Sequence, residues 1–138
     1  MTDIKTKNIN IQNENIRLNI LDTYINDSYR SSLRFYYKSA NGIIFVYDVS
    51  KKESFKNIKK WFDEINIYGN EDCKMFKVLI GTKKDSYDRV ISEEEGKQLA
   101  KDNNMAYFET SAKNNENVSQ IFYFLTNKIL RYRQNKDD

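Results

Sequence analysis

A short apolar run at residues 75–80 ends at Gly81 and is followed at once by Thr-Lys-Lys-Asp, residues 82–85. A run of this length, with Phe, Val, Leu and Ile in it, predicts a buried strand. The polar residues would then lie at the carboxyl end of that strand, where open α/β sheets hold their ligands. This stretch therefore predicts a strand and a candidate binding loop together.

The rest of the chain predicts an α/β fold in one domain, residues 1–138. Residues 42–48 form a second unbroken apolar run, which is typical of a central strand buried on both faces. Two alternating runs around a polar turn at 12–15 predict an antiparallel hairpin. Helical spacing begins near residues 27, 50, 92 and 117, so strands and helices alternate around a mostly parallel sheet. The polar end, residues 132–138, is expected to fray.

The composition excludes several kinds of chemistry. The chain contains no histidine and a single cysteine, Cys73. Ser-His-Asp and Cys-His catalysis, an internal disulfide, cysteine clusters and the usual zinc sites are therefore excluded. A net charge of +3 gives no argument for nucleic acid as a partner. No signal-peptide pattern and no apolar run of about 18 residues occurs, so we expect a cytoplasmic protein.

Several segments, in the right order, resemble the Rab branch of the Ras-superfamily small GTPases. Residues 36–42 (Tyr-Tyr-Lys-Ser-Ala-Asn-Gly) are similar to the Rab pattern Tyr-Tyr-Arg-x-Ala-x-Gly, and residues 47–50 (Tyr-Asp-Val-Ser) to Tyr-Asp-Val-Thr. Residues 80–85 and 109–113 (Glu-Thr-Ser-Ala-Lys) resemble the two loops that contact guanine. The resemblance spans residues 3–131. It implies a three-layer P-loop GTPase-like sandwich with one antiparallel edge hairpin, GTP or GDP with Mg²⁺ as ligands, a role in vesicle trafficking, and protein effectors or regulators as partners.

The resemblance also assigns residues to the guanine base. A carboxylate is an acceptor-only group, so Asp85 suits the N1–H and exocyclic amine that guanine presents side by side. Lys83 would lay its aliphatic stem on the base, and the Ala112 amide would donate to guanine O6. The full set is Thr82, Lys83, Asp85, Ser111, Ala112 and Lys113. On the residues alone, an ordinary surface loop and a helix approach remain open as alternatives.

Residues 22–27 (Asp-Thr-Tyr-Ile-Asn-Asp) stand where the family has Asp-Thr-Ala-Gly-Gln-Glu. The resemblance implies that Asp22 holds Mg²⁺ through water, while a turn aspartate after a strand remains the alternative. Ile25 replaces a glycine at which the backbone must approach the γ-phosphate. Asn26 replaces the glutamine that orients the attacking water, and it is one methylene shorter. No catalytic residue is therefore assigned, and hydrolysis is expected to be weak or absent.

The phosphate-binding loop of the family is missing from these residues. The chain has four glycines, and no pair of them has the spacing of G-x-x-x-x-G-K-[ST]. The resemblance begins at the second strand of the family, so we expect the first strand and first helix to be missing and nucleotide binding to be weak or absent. In the family, the first strand lies between the strand that ends at Asp22 and the strand at residues 42–48. Where the first strand is missing, we expect these two strands either to pair with each other or to recruit a strand from a partner.

Two functions remain open on these observations. The first is a Rab-like GTPase-related switch, and the second is a non-catalytic pseudo-GTPase that acts as a protein-interaction module. The chain ends in Asp137 and Asp138, whereas Rab proteins usually end in prenylated cysteines. A stable membrane anchor is therefore not expected.

Overall fold

The computed structural model describes residues 2–23, 30–69, 74–114 and 116–137. Nine strands and helices follow one another within these ranges: β1 (Thr2–Ile11), β2 (Glu14–Thr23), α1 (Arg30–Tyr37), β3 (Gly42–Asp48), α2 (Lys52–Tyr68), β4 (Phe76–Thr82), α3 (Glu93–Asp102), β5 (Ala106–Glu109) and α4 (Val118–Asp137). The predicted α/β fold is confirmed.

Strands β3, β4 and β5 form a parallel sheet in that order. In its register Asp48 pairs with Thr82, and Gly81 pairs with Glu109. Parallel strands with short register offsets end at the same edge of a sheet. The residues that follow β3, β4 and β5 are thereby brought to one edge, where the sequence places its candidate loops.

The predicted hairpin is confirmed, and it forms a two-stranded sheet of its own. Its turn residues Gln12 and Asn13 have φ values of 54° and 64°. Positive φ at both central positions is the type I′ geometry, which matches the right-handed twist of the strands. The hairpin contacts α4, because Lys7 Nζ lies 5.6 Å from the centre of the Phe122 ring.

The expected closing of the flanking strands on each other does not occur in the described part of the chain. Strand β2 pairs with β1, whereas β3 pairs with β4 in a different sheet. Val46 of β3 is 54% exposed although its neighbours Phe45 and Tyr47 are buried. The hairpin packs on α4 and leaves this part of β3 uncovered. The other alternative, recruitment of a strand from a partner, stays a prediction.

Helices cover both faces of the parallel sheet. On one face, α2 directs an apolar stripe, Ile58, Phe62 and Ile65, into a core cluster that also contains residues of β3 and β4. On the other face, Ile121 and Leu125 of α4 belong to a second cluster with residues of β4. Residues about one helical turn apart share a face, so both helices bury one side. The result is the predicted three-layer sandwich.

Helix α4 continues through Asp137, into the segment for which the sequence predicts fraying. Fraying of residues 132–138 stays a prediction. Among the helices in the described ranges, none combines the length and the apolar character that a bilayer crossing requires.

Candidate functional site

The loops after β4 and β5 lie side by side at the carboxyl edge of the sheet. The Thr110 amide donates to the Gly81 carbonyl at 2.8 Å, and the Lys84 amide donates to the Thr110 carbonyl at 3.0 Å. These backbone bonds continue the contact between the two strands beyond the point where the strands end. The two loops predicted to contact guanine therefore form one surface.

Asp85 and Ser111 join the two loops directly. Ser111 Oγ donates to Asp85 Oδ1 at 2.6 Å and accepts from the Asn114 amide at 3.0 Å. Ser111 is fully buried, so this contact has a fixed geometry. The hydrogen bond from Ser111 and the nearby Lys113 and Lys83 lower the pKa of Asp85. Its carboxylate is thus oriented and ionised, as the recognition of two neighbouring N–H donors requires.

Thr82 and Lys83 contact β3. Thr82 Oγ1 donates to the Tyr47 carbonyl at 3.0 Å, which ties the end of β4 to β3. Lys83 has a φ of 60°, and its Nζ lies 2.9 Å from Asp48 Oδ2. The Lys83 side chain is 61% exposed, so its aliphatic stem is accessible. Stacking of this stem on a base stays a prediction.

Asp48 is a site residue that the sequence reasoning did not identify. Its Oδ1 accepts from the Ser50 amide at 2.8 Å and from Ser50 Oγ at 2.6 Å. Burial would raise the pKa of Asp48, but the hydrogen bonds from Ser50 and Lys83 outweigh it and lower the pKa to about 2. The signal in the sequence is the Asp-x-Ser spacing directly after a strand, which is typical of an aspartate that bonds its own backbone two residues on.

Ala112 and Lys113 lie on the exposed side of the second loop. The loop is closed by backbone bonds between Ser111 and Glu116, at 2.9 Å and 3.3 Å. Lys84 Nζ also pairs with Glu116 Oε2 at 2.8 Å, which links the loop to the one after β4. Donation from the Ala112 amide to guanine O6 stays a prediction.

Beneath the two loops lies a buried network around Glu109, which the sequence reasoning also missed. Arg89 contacts both carboxylate oxygens of Glu109, with Nη1 at 2.8 Å from Oε1 and Nη2 on Oε2. Tyr107 Oη donates to Glu109 Oε2 at 2.6 Å. Burial would raise the pKa of Glu109, but hydrogen bonds from Arg89 and Tyr107 lower it. The first residue of segment 109–113 is thus held by a bidentate ion pair.

The network continues to β3 through a tyrosine pair. The hydroxyls of Tyr47 and Tyr107 lie 2.6 Å apart, and burial raises the pKa of both. A Cβ at Gly96 of α3 would lie 2.4 Å from each hydroxyl oxygen. Only glycine therefore lets α3 approach the tyrosine pair this closely.

In the sequence, the predicted magnesium and water-orienting residues lie in or after the hairpin, apart from the two base loops. Asp22 lies near the end of β2, is exposed, and is in register with Asp3. In the described ranges no group of three or more His, Cys, Asp or Glu could hold a metal ion. One carboxylate suits Mg²⁺ only where water and phosphate oxygens supply the remaining ligands. The role of Asp22 stays a prediction, and Ile25 and Asn26 lie outside the described residues.

Comparison with known proteins identifies the family of this chain. The model of the Ras family matches residues 1–131. The chain is 37% identical over 127 residues to the Ras-related protein SEC4 of Saccharomyces cerevisiae, covering 92% of this chain and 58% of SEC4. It is 40% identical over 131 residues to human Ras-related protein Rab-12, covering 94% of this chain and 53% of Rab-12. It is also 40% identical over 129 residues to the Ras-related protein RABD1 of Arabidopsis thaliana, covering 92% of this chain and 62% of RABD1.

The chain thus spans somewhat more than half the length of these curated relatives. The matched region includes both loops that meet at the sheet edge, residues 82–85 and 109–113. Because the family model matches almost the whole chain, this protein belongs to the Ras family and is Rab-like.

Proposed function

We propose that this chain is a Rab-like small-GTPase-related protein whose 138 residues supply the guanine-reading part of a vesicle-trafficking switch. Its ligands would be GTP and GDP, with Mg²⁺ bound beside the phosphates. The observation that supports this most is the contact of 2.6 Å between Ser111 Oγ and Asp85 Oδ1. It fixes a carboxylate at the edge where parallel sheets bind their ligands.

The chemistry of Asp85 suits guanine better than adenine. A carboxylate has about four lone-pair positions, and Ser111 uses one of them. Guanine offers N1–H and an exocyclic amine next to each other, whereas adenine has an acceptor at N1. A base that faces Asp85 can therefore donate twice only if it is guanine. The exposed stem of Lys83 and the exposed Ala112 lie in the same two loops.

The strength of this contact limits the affinity. Each hydrogen bond to a charged group contributes roughly 1.5–3 kcal/mol before the costs of association. Two such bonds give about millimolar affinity at best. The sequence contains no G-x-x-x-x-G-K-[ST] loop to hold phosphates. We therefore propose that these residues select guanine but bind nucleotide weakly, and that their hydrolysis of GTP is weak or absent.

The test is a titration followed by ¹H–¹⁵N NMR with GMP, IMP and AMP. GMP should shift the amides of residues 82–85 and 111–114 at about millimolar concentration. IMP lacks the exocyclic amine, so it should bind about tenfold more weakly, since one charge-assisted bond is lost. AMP should leave these amides unshifted.

The matched variant is Asp85→Asn, which keeps the shape and removes the charge, and it should abolish the preference for GMP. Equal affinity for GMP and AMP in the wild-type chain would overturn base reading by Asp85. Submicromolar binding of GTP or GDP by isothermal titration calorimetry would overturn the weak-binding part of the proposal.

A second function, a non-catalytic module that binds proteins, is favoured by exposed apolar surface on α1. Phe35 is 73% exposed, and its ring lies edge-on to Tyr36 at 5.7 Å between centroids. Under either function the partners would be protein effectors or regulators of the Rab type, met in the cytoplasm. The transcript upstream of Met1 separates the two functions. A strand followed by G-x-x-x-x-G-K-[ST] would support the switch, and an upstream stop codon would support the module.

A further inference from the structure

The most constrained exposed lysine at the candidate site is Lys83. Its backbone has a φ of 60°, which non-glycine residues adopt infrequently, and which directs the chain away from the extended path of β4. Its ammonium lies 2.9 Å from Asp48 Oδ2. The side chain is therefore held at both ends, by the backbone turn and by the carboxylate, while its stem stays open to solvent.

Asp48 is itself held in place. Ser50 donates to Asp48 Oδ1 from its amide at 2.8 Å and from its hydroxyl at 2.6 Å, so the other oxygen, Oδ2, has a fixed position for Lys83. The neighbouring backbone adds to this, because the Val49 amide donates to the Thr82 carbonyl at 3.1 Å. The Asp48 side chain is 12% exposed. Its carboxylate is thus a rigid acceptor next to the lysine.

We propose that Asp48 is a positioning residue for guanine recognition: it holds the Lys83 stem extended at the sheet edge, so that a purine face stacks on it. This inference rests on the proposed function. A free lysine loses a large part of its rotamer freedom when a ligand packs on it, and this loss weakens binding. Here the ion pair has already removed that freedom before the ligand arrives. Asp48 would act through Lys83, without touching the base.

The ion pair also directs what Lys83 recognises. An ammonium paired with a carboxylate at 2.9 Å is neutralised locally, and it has less attraction for a phosphate group. What remains available for a ligand is the apolar stem. Lys83 would therefore contribute to the binding of the nucleoside, and guanosine, which has no phosphate, is the suitable probe.

The experiment is a double-mutant cycle read by guanosine affinity, measured from amide shifts of residues 111–114. Asp48→Asn should weaken guanosine binding about two- to tenfold, which is the cost of immobilising one lysine side chain. Lys83→Met removes the ammonium and keeps an unbranched stem. If Asp48 acts through Lys83, Asp48→Asn adds no further loss in the Lys83→Met background.

The matched control is Glu93→Gln. Glu93 pairs with Lys97 at 2.9 Å on α3, so this variant removes an exposed carboxylate–lysine pair that belongs to neither base loop. It should leave guanosine affinity unchanged. An equal loss in Glu93→Gln would mean a general effect of charge and would overturn the role of Asp48.

Other outcomes are equally decisive. An unchanged affinity in Asp48→Asn, or the same loss with and without Lys83→Met, overturns this inference while guanine preference persists. A wild-type chain that binds guanosine no better than adenosine overturns the proposed function and this inference with it.

If Asp48→Asn does not fold, Ser50→Ala serves instead, because it removes the hydroxyl that orients the carboxylate. A loss that disappears in Lys83→Met would then support the inference, and no loss would overturn it.

Discussion

The carboxyl edge of the β3–β4–β5 sheet and the β1–β2 hairpin differ in how they hold their polar side chains. At the sheet edge, polar groups are buried and bonded to one another, as Glu109 is to Arg89 and Ser111 is to Asp85. In the hairpin, Asp22 is exposed, and the side-chain bond between Asn10 and Asn15 is exposed as well. A buried polar group is expensive to leave unpaired, so it fixes its partner's position. Asp85, of the predicted base site, is therefore held by a buried partner, whereas Asp22, of the predicted magnesium site, lies exposed near the end of the hairpin.

The largest expected effect comes from breaking the buried ion pair. Arg89→Met would leave the Glu109 carboxylate buried without its bidentate partner, so the free energy of unfolding should fall by about 3 kcal/mol. Urea denaturation followed by circular dichroism measures this. Lys97→Met removes an exposed ion pair with Glu93 and should leave the free energy of unfolding nearly unchanged. An equal loss of stability in the two variants would contradict the larger contribution of the buried ion pair.

Gly96→Ala tests the tyrosine pair. In an open helix this change would stabilise the protein by about 1 kcal/mol through helix propensity. Here the added methyl would lie 2.4 Å from the hydroxyls of Tyr47 and Tyr107, so overlap should reverse the sign and cost about 2 kcal/mol. Thermal and urea unfolding both report this. Lys101→Ala, at an exposed position of the same helix, is the control, and a stabilised Gly96→Ala protein would show that α3 does not pack on the tyrosines.

The pH dependence of stability tests the hydrogen bonds from Ser50 and the ion pair with Lys83 that together stabilise the Asp48 carboxylate. Asp48 has a pKa of about 2 in the folded chain, below its usual 3.8. Since the folded pKa is the lower one, the stabilisation is present above about pH 4 and is lost as the pH falls towards 2. The free energy of unfolding of the wild-type chain should exceed that of Asp48→Asn by about 1–2 kcal/mol at pH 6, and this difference should shrink towards pH 2. Unfolding curves across this range measure it, and a constant difference would contradict the paired carboxylate.

The smallest expected effect is in the hairpin. Replacing Gln12 and Asn13 by Asn and Gly would place residues that favour positive φ at both turn positions. Stability should rise by about 0.5 kcal/mol, and guanosine affinity should stay the same. Asn13→Val, a β-branched residue at φ 64°, should instead destabilise the chain. A change of guanosine affinity in the Asn-Gly variant would show that the hairpin and the sheet edge are coupled.

Sequence reasoning succeeded for features that depend on nearby residues. The apolar run at 75–80 predicts β4, and residues 82–85 are expected at the carboxyl end of that strand, where the structure has them. It missed Arg89, because its partner Glu109 is 20 residues away. One of the two predicted alternatives, a pairing of β2 with β3, does not occur. The sequence could not exclude it, because nothing in either strand indicates that the hairpin packs on α4.

By itself the sequence determined the order of strands and helices, the residue types of the two base loops, and the chemistry that a chain without histidine cannot perform. The tertiary structure alone decided which charges pair, with Asp48 on Lys83 and Arg89 on Glu109. It also decided where the hairpin lies. The reason is physical: periodicity and turn preference act over a few residues, whereas an ion pair depends on a distance between atoms that folding brings together.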